Sequence, residues 1–418
     1  MAKYIIGKSQ PLVGEVEISG SKNAVLPIMA ATILTSDDCI IEEIPRLRDV
    51  DIMSRLLGSL GATTDINYDE KEIKISCKNI ETAEASYELI KQMRASVLIM
   101  GPLLARYGRA KVALPGGCNI GSRPIDLHLK GFQALGAQID IGHGYVEAVA
   151  DKLIADKIYL DFPSVGATEN IMMCATLAEG TTIIENAAEE PEIVDLANFL
   201  NGMGAKIKGA GTDTIKIEGV TSLKGTRHAI IPDRIETGTF MVAAAITRGD
   251  ILIKNTMADH VKPIIAKLKE CGVEIEEIKS DLRVRANKNI IHTDIKTLPY
   301  PGFPTDMQAQ FMALLTTVEG TSIVIETVFE NRYMHIGELN RMSANIKIEG
   351  RSAVIQGPRR LQGAQVTATD LRAGAALALA GLVAEGETEI LDIYHIERGY
   401  SDFEKKIRRL GGKIKRVE

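Results

Sequence analysis

Leu135-Gly136-Ala137-Gln138-Ile139 is one of six versions of a single phrase. The others are Leu60-Gly61-Ala62-Thr63, Met203-Gly204-Ala205-Lys206-Ile207, Cys271-Gly272-Val273-Glu274-Ile275, Met342-Ser343-Ala344-Asn345-Ile346 and Leu410-Gly411-Gly412-Lys413-Ile414. Their second residues lie 75, 68, 68, 71 and 68 residues apart, so six units nearly fill the 418 residues. Around each phrase the same grammar recurs. A small-residue apolar helix comes first (Asn170–Ala178, Thr239–Thr247, Met307–Val318, Leu371–Ala384) and ends at a glycine turn (Gly180, Gly249, Gly320, Gly386). A short β-branched strand follows (Thr181–Glu185, Ile251–Lys254, Ser322–Glu326), then an amphipathic helix such as Ile193–Met203 or Val261–Cys271. The phrase closes that helix and opens the next strand. Chance recurrence of a helix stop does not produce four sub-elements in a constant order.

A second phrase, Ile-x-Gly-x-x-x-Leu-x-Gly, follows the third unit (Ile217 to Gly225) and the fifth (Ile355 to Gly363), and opens the chain (Ile5 to Gly14). The sixth unit ends at Glu418 without it. Residues 1–20 are therefore expected to complete the sixth unit with a hairpin. The expected domains are 21–231, holding units one to three, and 1–20 plus 232–418, holding units four to six.

Each apolar helix begins with polar residues: Lys22-Asn23, Arg94, Thr168-Glu169, Glu236-Thr237, Thr305-Asp306, and Thr369-Asp370-Leu371-Arg372. Units of one design point these helix starts to one end, where positive helix termini favour phosphate and carboxylate groups. Thr168 and Thr237 read as helix N-caps. Lys22, Arg94 and Arg372 cap nothing; with no anion present, Lys22, Arg94, Arg123, Arg332, Arg372 and Arg398 are expected to repel one another.

The second unit departs from its siblings. Gly108 to Gly136 spans 28 residues, whereas the matching interval is 24 from Gly180, 23 from Gly249 and Gly320, and 25 from Gly386. The excess falls in Leu114-Pro115-Gly116-Gly117-Cys118-Asn119-Ile120-Gly121-Ser122-Arg123-Pro124-Ile125-Asp126-Leu127-His128, and an excursion from a repeat commonly lies on a binding face. Pro115, Gly116, Gly117 and Gly121 leave little bulk around Cys118, and Arg123 would favour its thiolate or an anionic ligand. Local composition suits two readings of Cys118, a reactive thiol or a small inert side chain.

Composition narrows the classes. Lys and Arg number 49 against 55 Asp and Glu, a net charge of −6 with no block of one sign, which gives nucleic-acid binding no electrostatic support. The five cysteines (Cys39, Cys77, Cys118, Cys174, Cys271) are scattered without metal or disulfide spacing, as suits a reducing cytoplasm. The apolar run near Met1 is too short for a signal peptide, and Ala373–Ala384 is too short to span a membrane. A soluble protein is expected.

With those residues in place, the chain resembles the UDP-N-acetylglucosamine enolpyruvyl transferases from end to end. The resemblance rests on the sixfold unit and on Ser21-Lys22-Asn23-Ala24, Pro115 to Cys118, Arg123 to Leu127, Pro304 to Gln310, Phe329 to Arg332, Thr369 to Arg372, and Glu397-Arg398-Gly399-Tyr400. It implies an α/β fold, a two-domain inside-out barrel with three units per domain, helices within and sheets outside. It also implies transfer of the enolpyruvyl group of phosphoenolpyruvate to the 3′-hydroxyl of UDP-N-acetylglucosamine with release of phosphate, in peptidoglycan synthesis, with no metal or organic cofactor. By motif, Cys118 would be the proton donor and Asp306 the base, with Lys22 and Arg398 also catalytic. Phosphoenolpyruvate would meet Lys22, Asn23, Arg123, Arg332, Arg372 and Arg398. The UDP-sugar would meet Arg94, Arg123, Pro124, Ile125, Asp126, Leu127, Ser164, Val165, Gly166, Asp306 and Val328. The family pattern carries a lysine just before Ser164; this chain has Asp161-Phe162-Pro163 instead. Two alternatives are a 5-enolpyruvylshikimate-3-phosphate synthase-like transferase, which lacks the cysteine loop, and a non-catalytic UDP-sugar-binding paralogue. Oligomeric state is not legible.

Overall fold

The computed structural model describes residues 2–85, 87–114, 125–286 and 289–418, and in it the recurrent phrase is a helix stop of one geometry. Its second residue turns the chain through the left-handed region, with φ of 107° at Gly61, 96° at Gly136, 103° at Gly204, 87° at Gly272 and 92° at Gly411. Only glycine enters that region without steric cost. Ser343 stands at the sixth such place with φ 72°. Ser343→Gly is therefore expected to stabilise the protein by about 1 kcal/mol, seen as a raised thermal midpoint; an unchanged or lower midpoint would contradict it.

Five of the six units build a four-stranded sheet on one plan. In the third, Lys157–Tyr159 runs parallel to Thr181–Glu185, which pairs antiparallel with Thr214–Glu218, which pairs antiparallel with Lys206–Lys208. The second unit has three strands, Arg109–Ala113, Tyr145–Val149 and Gln138–Gly142, with Glu84 bridging Lys111 where the parallel strand would lie. Alternation does the local work: in Thr181–Glu185 the buried residues are Thr182 and Ile184, while their neighbours face outward.

The parallel first strand of each four-stranded sheet is donated across a unit boundary. After the third unit, Arg227–Ala229 pairs with Asp38–Glu42 of the first, and after the fifth, Gln365–Thr367 pairs with Glu387–Leu391 of the sixth. The Ile-x-Gly-x-x-x-Leu-x-Gly phrase is thus a crossing between sheets rather than a hairpin. At the N-terminus the same rule divides the first twenty residues. Lys3–Gly7 is the central strand of the sixth sheet, between Glu387–Leu391 and Lys413–Val417, with Ile6 opposite both Thr388 and Ile414. Val13–Glu17 instead opens the fourth sheet, parallel to Asp250–Lys254. The expectation that residues 1–20 as a whole complete the sixth unit is corrected accordingly.

By internal contacts the chain forms two compact units, residues 2–19 with Pro232–Glu418, and 20–114 with 125–231, each with its own hydrophobic core. In the second of these, the helix Val165–Ala175 packs on both Met100–Tyr107 and Lys22–Ala31; in the first, Arg234–Thr247, Gln308–Leu315 and Leu371–Gly381 pack on one another. Arg234–Thr247 is buried at every position but its first. A helix apolar all round needs protein on every side, and small residues permit the approach. Gly101 shows how close it is: a side chain there would strike Asn170 of the neighbouring helix. Among the described residues no helix is long and apolar enough to cross a membrane.

Candidate functional site

Asp306 lies in a 3-10 turn, Thr305–Met307, that leads into the buried Gln308–Leu315 helix. One of its carboxylate oxygens meets Arg332 Nη2 at 2.7 Å, and the other meets Arg372 Nη2 and Nε, each at 3.1 Å. The side chains of Arg332 and Arg372 are only 5% and 2% exposed, whereas that of Asp306 is 27% exposed. Two nearly buried guanidiniums thus converge on one reachable carboxylate. Arg372 leans on the Tyr400 ring, its carbon 5.3 Å from the ring centre. Burial alone would lower its pKa, but Tyr400, Asp306 and Asp233 outweigh burial and hold the guanidinium still more firmly protonated. The helix start supplies order: Asp370 caps Leu371–Gly381 by accepting from Arg372 N at 2.8 Å and Ala373 N at 3.0 Å. Arg398, half-buried, follows the Tyr394–Glu397 helix, close enough to His395 to help lower the pKa of that imidazole, after burial as the larger cause.

In residues 20–231 the helix starts hold a second set. Lys22, at the first turn of Lys22–Ala31, is buried and its Nζ lies 2.8 Å from Asp49 Oδ2, itself 1% exposed. Breaking such a pair from one side strands a buried charge. Of the cations expected to repel one another, Lys22, Arg332 and Arg372 each carry a carboxylate partner, which offsets the repulsion at those three. Arg94 opens the 3-10 turn Arg94–Ile99 and is half-buried. Asn170 Nδ2 donates to His128 Nδ1 and to Val97 O, both at 3.0 Å, while Asn170 Oδ1 accepts from Gly101 N at 2.7 Å. Those bonds make Nδ1 the acceptor of a neutral imidazole. His128 follows Ile125, Asp126 and Leu127, of which Ile125 is buried and Asp126 exposed. Its ring edge lies against Gly166, where an added Cβ would be 3.3 Å from Cε1. The structure therefore brings the Asp126–Ala134 helix and the Ser164–Gly166 turn together. Asn23, Ser164, Val165, Gly166 and Val328 are all partly exposed.

Two helix-cap readings are corrected. Val165–Ala175 is capped by Ser164, which accepts from Ala167 N, and Arg234–Thr247 by Asp233, which accepts from Ile235 N and Glu236 N. Thr168 Oγ1 instead accepts from Ala188 N, and Thr237 Oγ1 donates to Asp233 O. Each threonine lies one turn inside its helix: Thr168 serves a tertiary bond, while Thr237 bonds back to the carbonyl one turn earlier and meets Thr256 Oγ1 at 2.9 Å. Where the family pattern has a lysine, Asp161 pairs with Lys130 at 2.8 Å, on the surface. Cys118, Arg123 and Pro124 lie outside the described residues. The other four cysteines are buried, and burial pushes their thiols up: Cys39 to about 11, Cys271 to about 12, Cys77 and Cys174 also upward. None has the character of a reactive thiol.

Sequence reasoning passed over His128, Asn170, Asp49 and Glu326. It also passed over the acid cluster around Glu169, which burial first, then Glu192 and Glu190, push well above the ordinary carboxyl range. Burial, with Arg94 adding to it, pushes His128 down to about 4, and His335 is likewise lowered to about 4 by burial. The unfolded histidine titrates near 6.5, so the unfolded chain binds the extra protons between pH 6.5 and 4. The stability that these neutral imidazoles contribute is fully present above pH 6.5 and is lost as pH falls through that window, while the raised Glu169 contributes with the opposite sign. His128→Gln is therefore expected to lose less thermal midpoint than wild type between pH 6.5 and 4; identical slopes would contradict the assignment.

The comparisons with known proteins agree with one another. The family model described as EPSP synthase (3-phosphoshikimate 1-carboxyvinyltransferase) matches residues 6–407. A protein of Caldanaerobacter subterraneus subsp. tengcongensis named UDP-N-acetylglucosamine 1-carboxyvinyltransferase 1 is 66% identical over 414 residues, 99% of each chain. One of Clostridium tetani named UDP-N-acetylglucosamine 1-carboxyvinyltransferase 2 is 61% identical over 417 residues, 100% of each. Among solved structures, the enolpyruvyl transferase NikO from Streptomyces tendae superposes with a TM-score of 0.91 at 22% identity, covering 100% of this chain and 99% of that one. An EPSP synthase from Acinetobacter baumannii does so with 0.79 at 16% identity, covering 100% of both. At such identities the two structures speak to the fold alone.

Proposed function

Since the chain belongs to the EPSP synthase family of 1-carboxyvinyltransferases, we propose that it transfers the enolpyruvyl group of phosphoenolpyruvate to the 3′-hydroxyl of UDP-N-acetylglucosamine, releasing phosphate. The carrying observation is full-length identity of 57 to 66% to proteins that bear the name of that reaction. The reaction is the first committed step of peptidoglycan synthesis. It would run in the cytoplasm, on a fold read as two inside-out α/β barrels.

The geometry of the Arg332-Asp306-Arg372 cluster supports roles for those three residues, and the family resemblance supplies the others. Arg332 and Arg372 present two guanidiniums to one carboxylate, the arrangement that would hold the carboxylate of phosphoenolpyruvate. Asp306, the one member of that trio that solvent reaches, would take the proton of the sugar hydroxyl as its oxygen attacks C2 of the enol. Cys118 would deliver a proton to C3, giving a tetrahedral ketal. Loss of a proton from C3 and of phosphate from C2 then restores the double bond. Lys22, Arg123 and Arg398 would carry the charge of the departing phosphate; Asn23 would sit beside it. Arg94, Pro124, Ile125, Asp126, Leu127, Ser164, Val165, Gly166 and Val328 would hold the UDP-sugar.

The test offers phosphoenolpyruvate with either UDP-N-acetylglucosamine or shikimate 3-phosphate and measures phosphate release. Release with the nucleotide sugar alone is expected; release with shikimate 3-phosphate would overturn the reading. In the same preparation an anionic epoxide such as fosfomycin should alkylate Cys118 and none of the four buried thiols, as read by mass spectrometry.

A further inference from the structure

We infer that Glu326 is a positioning residue for this reaction, holding the Thr305-Asp306 turn and the 327–332 segment in one fixed arrangement. Glu326 is 1% exposed, yet it accepts four hydrogen bonds. Oε1 takes Thr297 Oγ1 at 2.9 Å, Val328 N at 2.8 Å and Phe329 N at 3.2 Å; Oε2 takes Thr305 Oγ1 at 2.9 Å. Thr305 Oγ1 in turn accepts from Arg332 Nη1 at 3.2 Å. One buried carboxylate therefore ties together the residue before Asp306, the backbone of Val328, and, through Thr305, the guanidinium that grips Asp306. Its own amide donates to the Tyr333 hydroxyl at 3.0 Å, which anchors the far end of the same segment.

The repeat says independently that this place is special. Glu326 follows the strand Gly320–Ile325, and its parallel-strand counterpart is Thr297, one residue past the Lys296–Ile325 pair. The same register in the first, third, fourth and sixth units gives Glu43, Asn186, Asn255 and Asp392 opposite Ile230, Leu160, Ile18 and Ala368. Those four residues all lie in the left-handed region, with φ of 58°, 54°, 56° and 56°. Glu326 does not. The fifth unit has exchanged a turn residue and its apolar neighbour for a buried glutamate and the threonine that bonds to it. Burying a carboxylate costs stability unless every oxygen is satisfied, so a fold indifferent to this spot gains nothing by the exchange. What it secures is the setting of Asp306 and Arg332, and the inference rests on Asp306 being the proton acceptor.

Glu326→Gln tests it, because the amide keeps the size and the oxygen facing Thr297, Val328 and Phe329 while removing the acceptor for the Thr305 hydroxyl. Turnover is expected to fall at least about 10-fold, the range of a lost bond to a charged group, while the dissociation constant for UDP-N-acetylglucosamine changes less than about threefold. Thr305→Val should cause a similar loss, and the double variant should lose no more than the worse single one, because both break the same link. A merely structural role would lower the thermal midpoint and leave turnover of the folded fraction alone. Turnover of Glu326→Gln within twofold of wild type, or a double variant whose loss is the product of the two, would overturn the inference. If wild type releases no phosphate from phosphoenolpyruvate and UDP-N-acetylglucosamine, the reaction itself is misassigned and this role falls with it.

Discussion

Asp306→Asn is expected to lower turnover by at least about 100-fold while leaving the affinity for phosphoenolpyruvate equal to or tighter than that of wild type. The first half follows from the loss of the only proton acceptor in the Arg332-Asp306-Arg372 cluster. The second follows from geometry. Asp306 occupies the donors that a substrate carboxylate would need, with contacts of 2.7 Å to Arg332 and 3.1 Å to Arg372. In wild type the incoming carboxylate competes with Asp306 for two guanidiniums; the neutral amide competes weakly. Inorganic phosphate, which has no carboxylate, should gain much less affinity from the change, and this separates competition from a general rise in positive potential. The substitution also takes the shared charge from two buried guanidiniums, at a cost of up to about 3 kcal/mol, so folding is checked by circular dichroism before turnover is read. Phosphate release gives the rate and calorimetry the affinities. Turnover within a few-fold of wild type would refute Asp306 as the base. A parallel loss of phosphoenolpyruvate affinity would show that it binds substrate instead of competing with it.

Deleting residues 2–7 should abolish folding of the unit that contains residues 232–418. Lys3–Gly7 is a central strand, so its loss leaves Lys413–Val417 without a partner and turns Glu387–Leu391 into an edge. It also removes Tyr4 and Ile6, 3% and 0% exposed. Two large core side chains cost roughly 2 to 5 kcal/mol each before the lost ladder is counted, comparable with the whole stability of a typical domain at about 5 to 15 kcal/mol. The complementary experiment keeps the strand and moves the ends. Lys3 pairs with Val417 across the ladder, so a short linker can join Glu418 to Met1, with new termini opened between Asp69 and Glu70 in an exposed turn. That permutant should fold and melt cooperatively. A stable, active protein lacking residues 2–7 would show that the sixth sheet closes without them.

The two tests draw on different depths of the chain. Six copies of one helix stop were legible because a left-handed turn admits few residues, and strand alternation was legible because a half-buried strand has a period of two. Even Ser343, the exception, keeps its place in the spacing. The division of the first twenty residues was not legible. Ile5 to Gly14 reads like the phrase that follows the third and fifth units, and like them it carries the chain from one sheet into another, which only hydrogen-bond register reveals.

Candidate residues at the helix starts, Lys22, Asp306 and Arg372 among them, could be named from the sequence because a repeat brings equivalent positions to equivalent places. Their partners could not. Asp49 reads as an ordinary first-turn acid, Asn170 as one more polar residue at the start of an apolar helix, and Glu326 as the end of a strand like any other. Sequence alone determined the sixfold unit, its helix stops and the resemblance to a transferase family, since all of these depend on local backbone preference and on residues close together in the chain. Tertiary structure alone decided which carboxylate neutralises which cation, that Ser164 and Asp233 rather than Thr168 and Thr237 cap their helices, and which sheet receives each crossing strand. A buried charge is stable only beside a partner supplied by another element, and chain spacing does not encode which element that is.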